Sequence, residues 1–456
     1  MSNVAAVIMA AGKGTRMKSA HSKVVQKVAG ESMVCHVLRA CKKAGAEKII
    51  AVVGHLKEEV MAALGDGVTY AHQTELLGTG DAVMRACKFI DDDTEHVVIL
   101  SGDAPLITEK TMSDALKFHI KNNFSCTVFT ATLPDAARYG RIVKGEGGEL
   151  LKIVEFADAS DEEKKINEIN GGMYWFRATD LKDALSKIDN NNAQGEYYLT
   201  DTIDVLKREG KGVGCFEVPD ADEILGVNTK LELTKVDAVM RRRINEAHAL
   251  SGVYFQNIDN TFIGPDVEIE PDAEILTGTI LSGKTKICAE CVIGPNTRID
   301  NSFVGRGSKL DNTVALSCNI GNDCNVGPFA YIRPGSIIGN GCKVGDFVEI
   351  KNAVLGDKTK ASHLTYVGDA DVGKGVNFGC GTVTVNYDGK KKHRSTIGDK
   401  AFIGCNTNLV SPVSVGDGAY IAAGSTITDE VPEKTLAIAR ARQVIKTNWK
   451  DKREEN

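Results

Sequence analysis

The 456-residue sequence is poor in proline and in aromatic residues, and it has neither a long apolar run nor a large excess of one charge. No segment approaches the roughly 20 apolar residues that a membrane-spanning helix needs, and no signal peptide with a cleavage site follows Met1. The net charge of -6 argues against a general nucleic-acid binder. We therefore expect a cytoplasmic protein of two to three domains, with no nucleic acid and no membrane among its partners.

Glycine, by contrast, is abundant, at 46 residues, and the second half of the chain contains a six-residue repeat. Most units have an aliphatic residue followed by glycine, and a small or branched residue comes four positions after the aliphatic one. A period of six fits neither an amphipathic helix nor an alternating strand. It is typical of a solenoid of short strands joined by turns, in which both positions point inward. The aliphatic positions are Ile287, Ile293, Ile299, Ile320, Val326, Ile332, Ile338, Val344, Ile350, Val372, Phe378, Ile397, Ile403, Leu409, Val415, Ile421 and Ile427, and the small positions include Cys324, Ala330, Ser336, Cys342, Val348 and Val354.

The twelve cysteines are expected to be reduced thiols that pack like small apolar residues. Cys288 and Cys291 form one CxxC pair, and no second pair stands at a spacing that would complete a zinc site. Cys291, Cys324 and Cys342 fall at the small inward position of the repeat. Packing therefore explains these cysteines better than metal binding does.

The first half alternates strand and helix patterns, which predicts a parallel sheet with helices on its faces. Buried strands are predicted over 4–11, 48–54 and 96–101, and a helix around 32–44. Gly12 and Gly14 follow the first strand, and a helix is expected to start after them, so that backbone amides approach a phosphate there. The loop matches neither a Walker A motif nor a dinucleotide fingerprint, and a plain turn is the alternative.

Asp103 follows the strand predicted over 96–101 and therefore lies at the edge of the sheet where ligands bind. A carboxylate beside a phosphate-binding loop suits Mg²⁺, which takes one or two carboxylates together with substrate phosphates. A helix cap or a turn is the alternative role for this residue.

These motifs, together with the repeat, resemble one enzyme family across nearly the whole chain. The segment 10–17 with Lys23 is similar to the signature of sugar-nucleotide pyrophosphorylases, and matching pieces follow at Gln73, 77–80, 102–106, 139–142, 153–155, 168–171, 191–198 and 226–228. The family is that of the bifunctional bacterial UDP-N-acetylglucosamine pyrophosphorylase/glucosamine-1-phosphate N-acetyltransferases. The resemblance implies an α/β Rossmann-like nucleotidyltransferase domain over 1–229, a connecting helix over 230–250, and a left-handed parallel β-helix of hexapeptide repeats with a C-terminal tail over 251–456.

For the first domain, the resemblance implies transfer of a uridylyl group from UTP to N-acetylglucosamine 1-phosphate, with release of pyrophosphate. It places Mg²⁺ on Asp103 and Asn228, and it makes Arg16 and Lys23 catalytic residues that bind the phosphates. Family members have proline before this lysine, whereas this chain has Ser22, so we expect a less rigid loop. The residues expected to bind UTP or the sugar nucleotide are Ala10, Ala11, Gly12, Lys23, Gln73, Gly78, Thr79, Asp103, Gly140, Glu155, Asn170 and Asn228.

For the second domain, the resemblance implies acetyl transfer from acetyl-CoA to glucosamine 1-phosphate, as the step before uridylyl transfer. Interruptions of the repeat at 360–364 and 379–396 are expected to be loops that carry function. The resemblance makes His363 the general base and places Asn386 at the reacting centre, because a bound ammonium must lose a proton before it attacks a thioester. Glucosamine 1-phosphate is assigned to Arg333, Lys351, Tyr366, Asn377 and Lys392, and acetyl-CoA to Cys380, Asn386, Tyr387, Cys405, Ala423 and Arg440, with Arg442 and Lys446 as further contacts of its phosphates.

Family members are trimers through the solenoid, so the resemblance also implies a homotrimer whose acetyl sites are shared between subunits. Cys380 and Cys405 stand where the family commonly has alanine and serine, and we expect them to be more exposed than the other cysteines of the repeat. One alternative is a single-activity pyrophosphorylase with a structural or regulatory solenoid, and another is a non-enzymatic interaction module. A three-histidine zinc site is disfavoured, because the repeat contains only His363 and His393.

Overall fold

The computed structural model describes residues 3–192, 194–447 and 449. The chain forms two compact units, Met1–Met240 and Arg241–Asn456. The predicted sequence features therefore belong to two separate cores, one built on a mixed sheet and the other on a stack of short strands.

The first unit is built around one twisted sheet whose described strands follow the order β11-β7-β10-β6-β1-β4-β5, with the β8–β9 hairpin beside β10. The strands predicted over 4–11, 48–54 and 96–101 are observed as β1, β4 and β6. The strands are β1 (Val4–Ala10), β2 (Lys27–Val28), β3 (Glu31–Ser32), β4 (Lys48–Val53), β5 (Thr69–His72), β6 (His96–Ser101), β7 (Cys126–Thr132), β8 (Arg141–Lys144), β9 (Leu150–Val154), β10 (Glu168–Arg177) and β11 (Val213–Glu217).

The predicted parallel sheet is observed only in part, because one strand is reversed. Strands β5, β4, β1 and β6 run parallel, but β10 runs antiparallel to both β6 and β7. The parallel strands are nearly continuous apolar runs because helices cover both of their faces. The reversal of β10 turns Asn170, near its start, toward the edge of the sheet at which β6 ends.

Helices pack on both faces of this sheet, and two apolar clusters form, one on each side. The helix predicted around 32–44 is α1. The prediction of a helix directly after the glycine loop is wrong, because only a 3₁₀ turn, Thr15–Met17, follows it. The α-helices are α1 (Met33–Lys43), α2 (Lys57–Leu64), α3 (Thr79–Cys87), α4 (Glu109–Lys121), α5 (Ala178–Leu185), α6 (Asp201–Arg208) and α7 (Lys230–Leu250), with further 3₁₀ turns at Lys23–Val25, Glu163–Lys165 and Ala221–Ile224.

The second unit is a left-handed parallel β-helix with three faces, each a parallel sheet in which every strand pairs with the strand one coil away. The first face contains Tyr254–Phe255, Glu274–Ile275, Val292–Ile293, Lys309–Leu310, Asn325–Val326, Lys343–Asp346, Lys360–His363, Asn377–Phe378, Phe402–Ile403, Tyr420–Ile421 and Leu436–Ala437. The second contains Phe262–Ile263, Ile280–Ser282, Arg298–Asp300, Val314–Leu316, Tyr331–Ile332, Glu349–Lys351, Tyr366–Gly368, Val383–Val385, Asn408–Val410 and Thr426–Ile427. The third contains Glu268–Ile269, Lys286–Ile287, Phe303–Val304, Asn319–Ile320, Ile337–Ile338, Val354–Leu355, Ala370–Val372, Ser395–Ile397 and Ser414–Val415.

All of the predicted aliphatic positions are buried in the core of this β-helix, as are Cys291, Cys324 and Cys342. Val354 is an exception among the small positions: it is half-buried, and its neighbours Ala353 and Leu355 point inward instead. The cause is that the step from Ile350 to the next inward aliphatic residue, Leu355, is five residues instead of six. The next inward positions therefore come one residue earlier than a period of six predicts.

This shift also corrects the first of the two predicted loops. Lys360–His363 is a strand that pairs with Lys343–Asp346, and Ala361 takes the inward position six residues after Leu355. The second interruption is shorter than predicted, because Val383–Val385 continues the second face. The chain leaves the regular coil only over 386–394, and the first strand of the β-helix is Tyr254–Phe255. Among the described residues, no helix is both long and apolar enough to cross a membrane.

Candidate functional site

Two adjoining cavities open in the first unit where β1 and β6 end. They have volumes of about 560 and 310 Å³ and share Met9, Thr79, Ser101 and Asp103 among their walls. Every residue that the sequence assigned to the nucleotide, the sugar or Mg²⁺ lines at least one of them. The smaller cavity is lined by Ala10, Ala11, Gly12, Lys23, Gln73, Gly78, Thr79 and Asp103, and the larger one by Arg16, Thr79, Asp103, Gly140, Glu155, Asn170 and Asn228.

Lys23, Asp103 and Asn228 meet between the two cavities. The Lys23 ammonium forms an ion pair with Asp103 Oδ2 and donates to Asn228 Oδ1 at 3.2 Å. Arg16 donates to the same Asn228 oxygen at 2.8 Å. Asp103 is almost fully buried, and the Ser101 hydroxyl donates to its other oxygen at 2.5 Å. Carboxylate and amide oxygens from distant parts of the chain therefore converge on one positive charge.

The glycines of this site are required where the chain passes close to other groups. Gly14 has a φ of 60°, and a Cβ there would lie 2.6 Å from the Cβ of Lys23. Gly78 has a φ of 109°, and a Cβ there would lie 2.9 Å from the Glu196 Cβ. Larger residues at either position would displace the segments that carry Lys23 and Thr79.

Ser22, which replaces the family's proline, has its own anchor. Its φ of -54° lies in the range that proline adopts, and its backbone N–H donates to Glu59 Oε2 at 2.9 Å. This hydrogen bond is the main reason that the pKa of Glu59 lies below its usual value. A proline at this position would have no N–H to donate. The serine lacks the rigid ring of proline but forms a hydrogen bond to α2.

The far end of the larger cavity is less charged. Burial raises the pKa of the Glu155 carboxyl, against a weaker opposing effect of the Thr200 hydroxyl. The Asn170 amide donates to the Tyr174 hydroxyl at 2.8 Å, and Gly140 leaves room beside Glu155. A hydrogen-bonding surface of this kind suits the hydroxyl and amide groups of a sugar.

Sequence reasoning missed three groups that orient this site. Ser101 holds Asp103, Thr200 contacts Glu155, and Asp81 accepts from Gln73 Nε2 at 3.0 Å. None of the three lies within a motif that pointed to this site. The one available signal was the two-residue spacing of Ser101 and Asp103 at the end of a strand.

In the second unit, one group of candidate residues forms a column at the turns that follow the strands of the first face. We call this column of turns the first edge. Asp346, His363, Cys380, Cys405 and Ala423 each stand two residues after an inward residue of successive coils. Backbone hydrogen bonds link the coils along this edge, from Gly381 to Leu364 and from Asn406 to Cys380. Arg440 comes next, with its Cδ near Gly424, while Arg442 and Lys446 are exposed.

His363 has a carboxylate partner that sequence reasoning missed. Its Nδ1 lies 2.5 Å from Asp346 Oδ1, and the two residues occupy the same register on neighbouring strands. The contact with His363 is the main reason that the pKa of Asp346 lies below its usual value. An ionised Asp346 accepts a hydrogen bond from Nδ1–H, so that in the neutral imidazole Nε2 carries the free lone pair. The signal was a carboxylate one coil before the histidine.

A second group lies on the turn after the second face, here called the second edge. Lys351 forms an ion pair with Asp369 at 2.8 Å, and Asn386 donates to Asp369 at 2.5 Å and to the Tyr366 hydroxyl at 3.2 Å. The neighbouring Lys351 ammonium is the main cause that lowers the pKa of Lys392, and Arg333 adds to it. Positive charge is thus concentrated at one place, which suits a phosphate group.

The structure does not bring every predicted residue of this unit together. Asn377 lies on the first face, in register with Lys360 and Phe402, away from the cationic group of the second edge. Tyr387 is more than half exposed, and its hydroxyl donates to Gly389 O within its own loop. The residues assigned to acetyl-CoA are therefore divided between the two edges, which lie on opposite sides of the second face.

The fold and these sites define a nucleotidyltransferase domain joined to a hexapeptide-repeat transferase domain, and comparison with known proteins agrees. The nucleotidyl transferase family matches residues 5–222, and the bacterial transferase hexapeptide family, of six repeats, matches 317–352 and 394–429. Bifunctional protein GlmU of Acetivibrio thermocellus is 53% identical over 444 residues, covering 97% of this chain and 96% of the relative. The corresponding proteins of Caldanaerobacter subterraneus subsp. tengcongensis and Clostridioides difficile are 51% and 48% identical, covering 99% of this chain and 99% and 98% of the relatives. The chain belongs to the bifunctional GlmU family.

Proposed function

We propose that this bifunctional enzyme makes UDP-N-acetylglucosamine in two steps. The second unit transfers an acetyl group from acetyl-CoA to glucosamine 1-phosphate, and the first unit transfers a uridylyl group from UTP to the N-acetylglucosamine 1-phosphate so formed. One observation carries the proposal: a cationic, carboxylate-containing cavity and a histidine–carboxylate pair occur in one chain that matches bifunctional relatives over nearly its whole length.

In the first unit, Asp103 and Asn228 are the proposed ligands of Mg²⁺. Their oxygens already accept from one ammonium, that of Lys23, and an oxygen donor set of this kind suits the ion. When bound, Mg²⁺ neutralises phosphate charge and polarises the phosphate oxygens. Lys23 and Arg16 supply fixed positive charge for the triphosphate and the attacking sugar phosphate, whose alignment is the main requirement of this transfer.

The remaining residues of these cavities are assigned to substrate recognition. Gln73, Gly78 and Thr79 line the smaller cavity and are assigned to the uracil base, beside the loop of Ala10, Ala11 and Gly12. Gly140, Glu155 and Asn170 are assigned to the sugar and ribose hydroxyls, in the less charged part of the larger cavity.

In the second unit, His363 is the proposed general base. Asp346 holds Nδ1, so Nε2 is available to take a proton from the substrate ammonium, and the resulting amine attacks the thioester carbonyl directly. The thiolate of CoA leaves as the tetrahedral intermediate collapses, with no acyl-enzyme. Arg333, Lys351 and Lys392 bind the sugar phosphate, together with Tyr366 and Asn377.

Acetyl-CoA is assigned to the first edge, at Cys380, Cys405, Ala423 and Arg440, and to Asn386 and Tyr387. Because these groups and Asn377 are divided between separate edges of one β-helix, a complete site requires side chains from more than one copy of the chain. This division supports a homotrimer, in which the edge of one subunit faces the neighbouring subunit. Rotational closure is the usual arrangement of such homo-oligomers.

We assign the enzyme to the cytoplasm. All twelve cysteines are free thiols, as expected where cellular reductants keep thiols reduced. Its proposed substrates, UTP and acetyl-CoA, are metabolites of the same compartment.

Dividing the chain after Met240 is expected to give two active halves, with uridylyl transfer in residues 1–240 and acetyl transfer in 241–456. Division at 229, the predicted domain end, is expected to destabilise the first half by about 2–4 kcal/mol. The reason is that Val236 is buried against Met17 and Leu106, and Glu232 accepts from the backbone N–H of Asn228.

The measurements are separate assays of the two transfers and thermal unfolding of both N-terminal fragments. Acetyl transfer by the N-terminal half, or uridylyl transfer by the C-terminal half, would contradict the assignment of activities. Equal stability of fragments 1–229 and 1–240 would show that the start of α7 contributes nothing to the first unit.

Alkylation of the intact enzyme is expected to abolish acetyl transfer and to spare uridylyl transfer. Cys405 is exposed and Cys380 half-buried, whereas Cys291, Cys324 and Cys342 are buried in the core. A thiol of the acetyl-CoA edge that carries a bulky adduct blocks the groove. Acetyl-CoA should protect, and the double variant Cys380→Ala, Cys405→Ser should resist the reagent. Equal loss of both activities, or no protection by acetyl-CoA, would show that other thiols are responsible.

A further inference from the structure

Asp369 is a buried carboxylate on the second edge, with no role assigned by the repeat or by the resemblance. It is 6% exposed and accepts three side-chain hydrogen bonds. Lys351 Nζ at 2.8 Å and Asn386 Nδ2 at 2.5 Å reach its Oδ2, and Asn352 Nδ2 reaches Oδ1 at 2.7 Å. The carboxylate thus connects a residue assigned to the sugar phosphate with the residue assigned to the reacting centre.

The charge of Asp369 decides which way the amide of Asn386 points. Burial alone would raise the pKa of the Asp369 carboxyl, but the hydrogen bonds from Lys351, Asn352 and Asn386 outweigh burial and hold that pKa below its usual value. An ionised carboxylate only accepts hydrogen bonds. The Asn386 amide must therefore turn its NH₂ group toward Asp369, because the opposite orientation would place its oxygen against a carboxylate oxygen.

Both N–H groups of that amide are consequently occupied. One is donated to Asp369 and the other to the Tyr366 hydroxyl, at 3.2 Å. In the described part of the chain, no donor reaches the remaining atom, Asn386 Oδ1. The group that Asn386 offers to a substrate is an acceptor.

We propose that Asp369 is a positioning residue that fixes the Asn386 amide so that its oxygen accepts a hydrogen bond from the substrate amino group. Asn386 then orients the nucleophile and does not donate to the acetyl carbonyl. Asp369 also holds Lys351, so the amine and the phosphate of one sugar are located from the same anchor. This inference rests on the proposed acetyl transfer.

The first test is Asp369→Asn in the full-length protein. The asparagine no longer forces the Asn386 amide into one orientation, and we expect kcat/KM for glucosamine 1-phosphate to fall about 30- to 100-fold, as for loss of hydrogen bonds to an ionised group. The KM for acetyl-CoA should change less, because among the described residues Asn386 is the only one assigned to acetyl-CoA that Asp369 contacts. Asp371→Asn is the matched control. It removes the same charge two residues further along the chain, from a half-exposed side chain that pairs with Arg394.

The second test is Asn386→Asp, which keeps an acceptor oxygen but places two carboxylates in contact. Such a pair holds one proton with a raised pKa, and that proton restores a donor between residues 386 and 369. We expect the ratio of acetyl-transfer kcat/KM in this variant to that in the wild type to rise about tenfold or more from pH 8.5 to pH 6. A merely structural role of Asp369 would leave this ratio flat.

The outcomes are distinguishable. Absence of acetyl transfer in the wild type would overturn the proposed function itself. An active wild type, with Asp369→Asn within about threefold of it, would overturn only the role of Asp369. Should Asp369→Asn fail to fold by circular dichroism, the pH dependence of Asn386→Asp decides, and a flat ratio overturns the inference.

Discussion

Replacing His363 with alanine is expected to lower acetyl transfer by about 10³-fold and to leave uridylyl transfer unchanged. A positioned general base contributes about 10² to 10⁴ in rate, and Asp346 is the only described carboxylate that contacts the imidazole. Without the base, the bound ammonium keeps its proton and has no lone pair for the thioester. The measurement is kcat for each transfer with the full-length protein.

His248→Ala is a suitable control, because it removes the same side chain from α7, which carries none of the proposed acetyl-site residues. Binding of acetyl-CoA to the His363→Ala protein should remain close to that of the wild type, since the histidine acts on the amine. Retention of more than about a tenth of the acetyl-transfer rate would exclude His363 as the base.

Replacing Asp103 with asparagine is expected to lower uridylyl transfer by about 10²- to 10³-fold, while acetyl transfer persists. The substitution keeps the shape of the side chain but removes the charge that faces Lys23 and the proposed Mg²⁺. Loss of several kcal/mol of charge stabilisation corresponds to a change of this size. The remaining activity should need a higher Mg²⁺ concentration, which a titration of rate against Mg²⁺ would detect.

Asp114→Asn serves as the control, because Asp114 is a partly exposed aspartate on α4 that pairs with Lys110 and Lys117. Its removal should change neither transfer. If Asp103→Asn and the wild type showed the same Mg²⁺ dependence, Asp103 would act through Lys23 alone.

Local pattern was sufficient for much of the fold. The limits of β6 match the predicted strand, and the aliphatic positions from Ile287 to Ile427 lie in the core, because a strand or a coil is specified by residues close in sequence. The prediction of strand direction failed where the pairing strands are distant in the sequence. The reversal of β10 depends on its pairing with β6 and β7, more than 30 residues away. The five-residue unit before Leu355 is a local exception, which placed Ala353 and Leu355 inward instead of Val354.

The candidate sites divide in the same way. Residues within recognisable motifs, such as Lys23, Asp103 and His363, were identified from the sequence. Asp346 and Asp369, which contact His363 and Asn386, were not identified, because each lies one coil away from its partner and outside any motif.

The sequence by itself predicted that the second half is a coil of six-residue steps, and its resemblance to a known family supplied the candidate site residues. The coil follows from spacing along the chain, because the period places apolar side chains in the core. Only the tertiary structure decided that the Lys23 ammonium contacts both Asp103 and Asn228, that Asp346 contacts His363, and that Asp369 contacts Asn386. Those relations are contacts between residues 17 to 205 positions apart, and hydrogen bonds form only when folding has brought their atoms within about 3 Å.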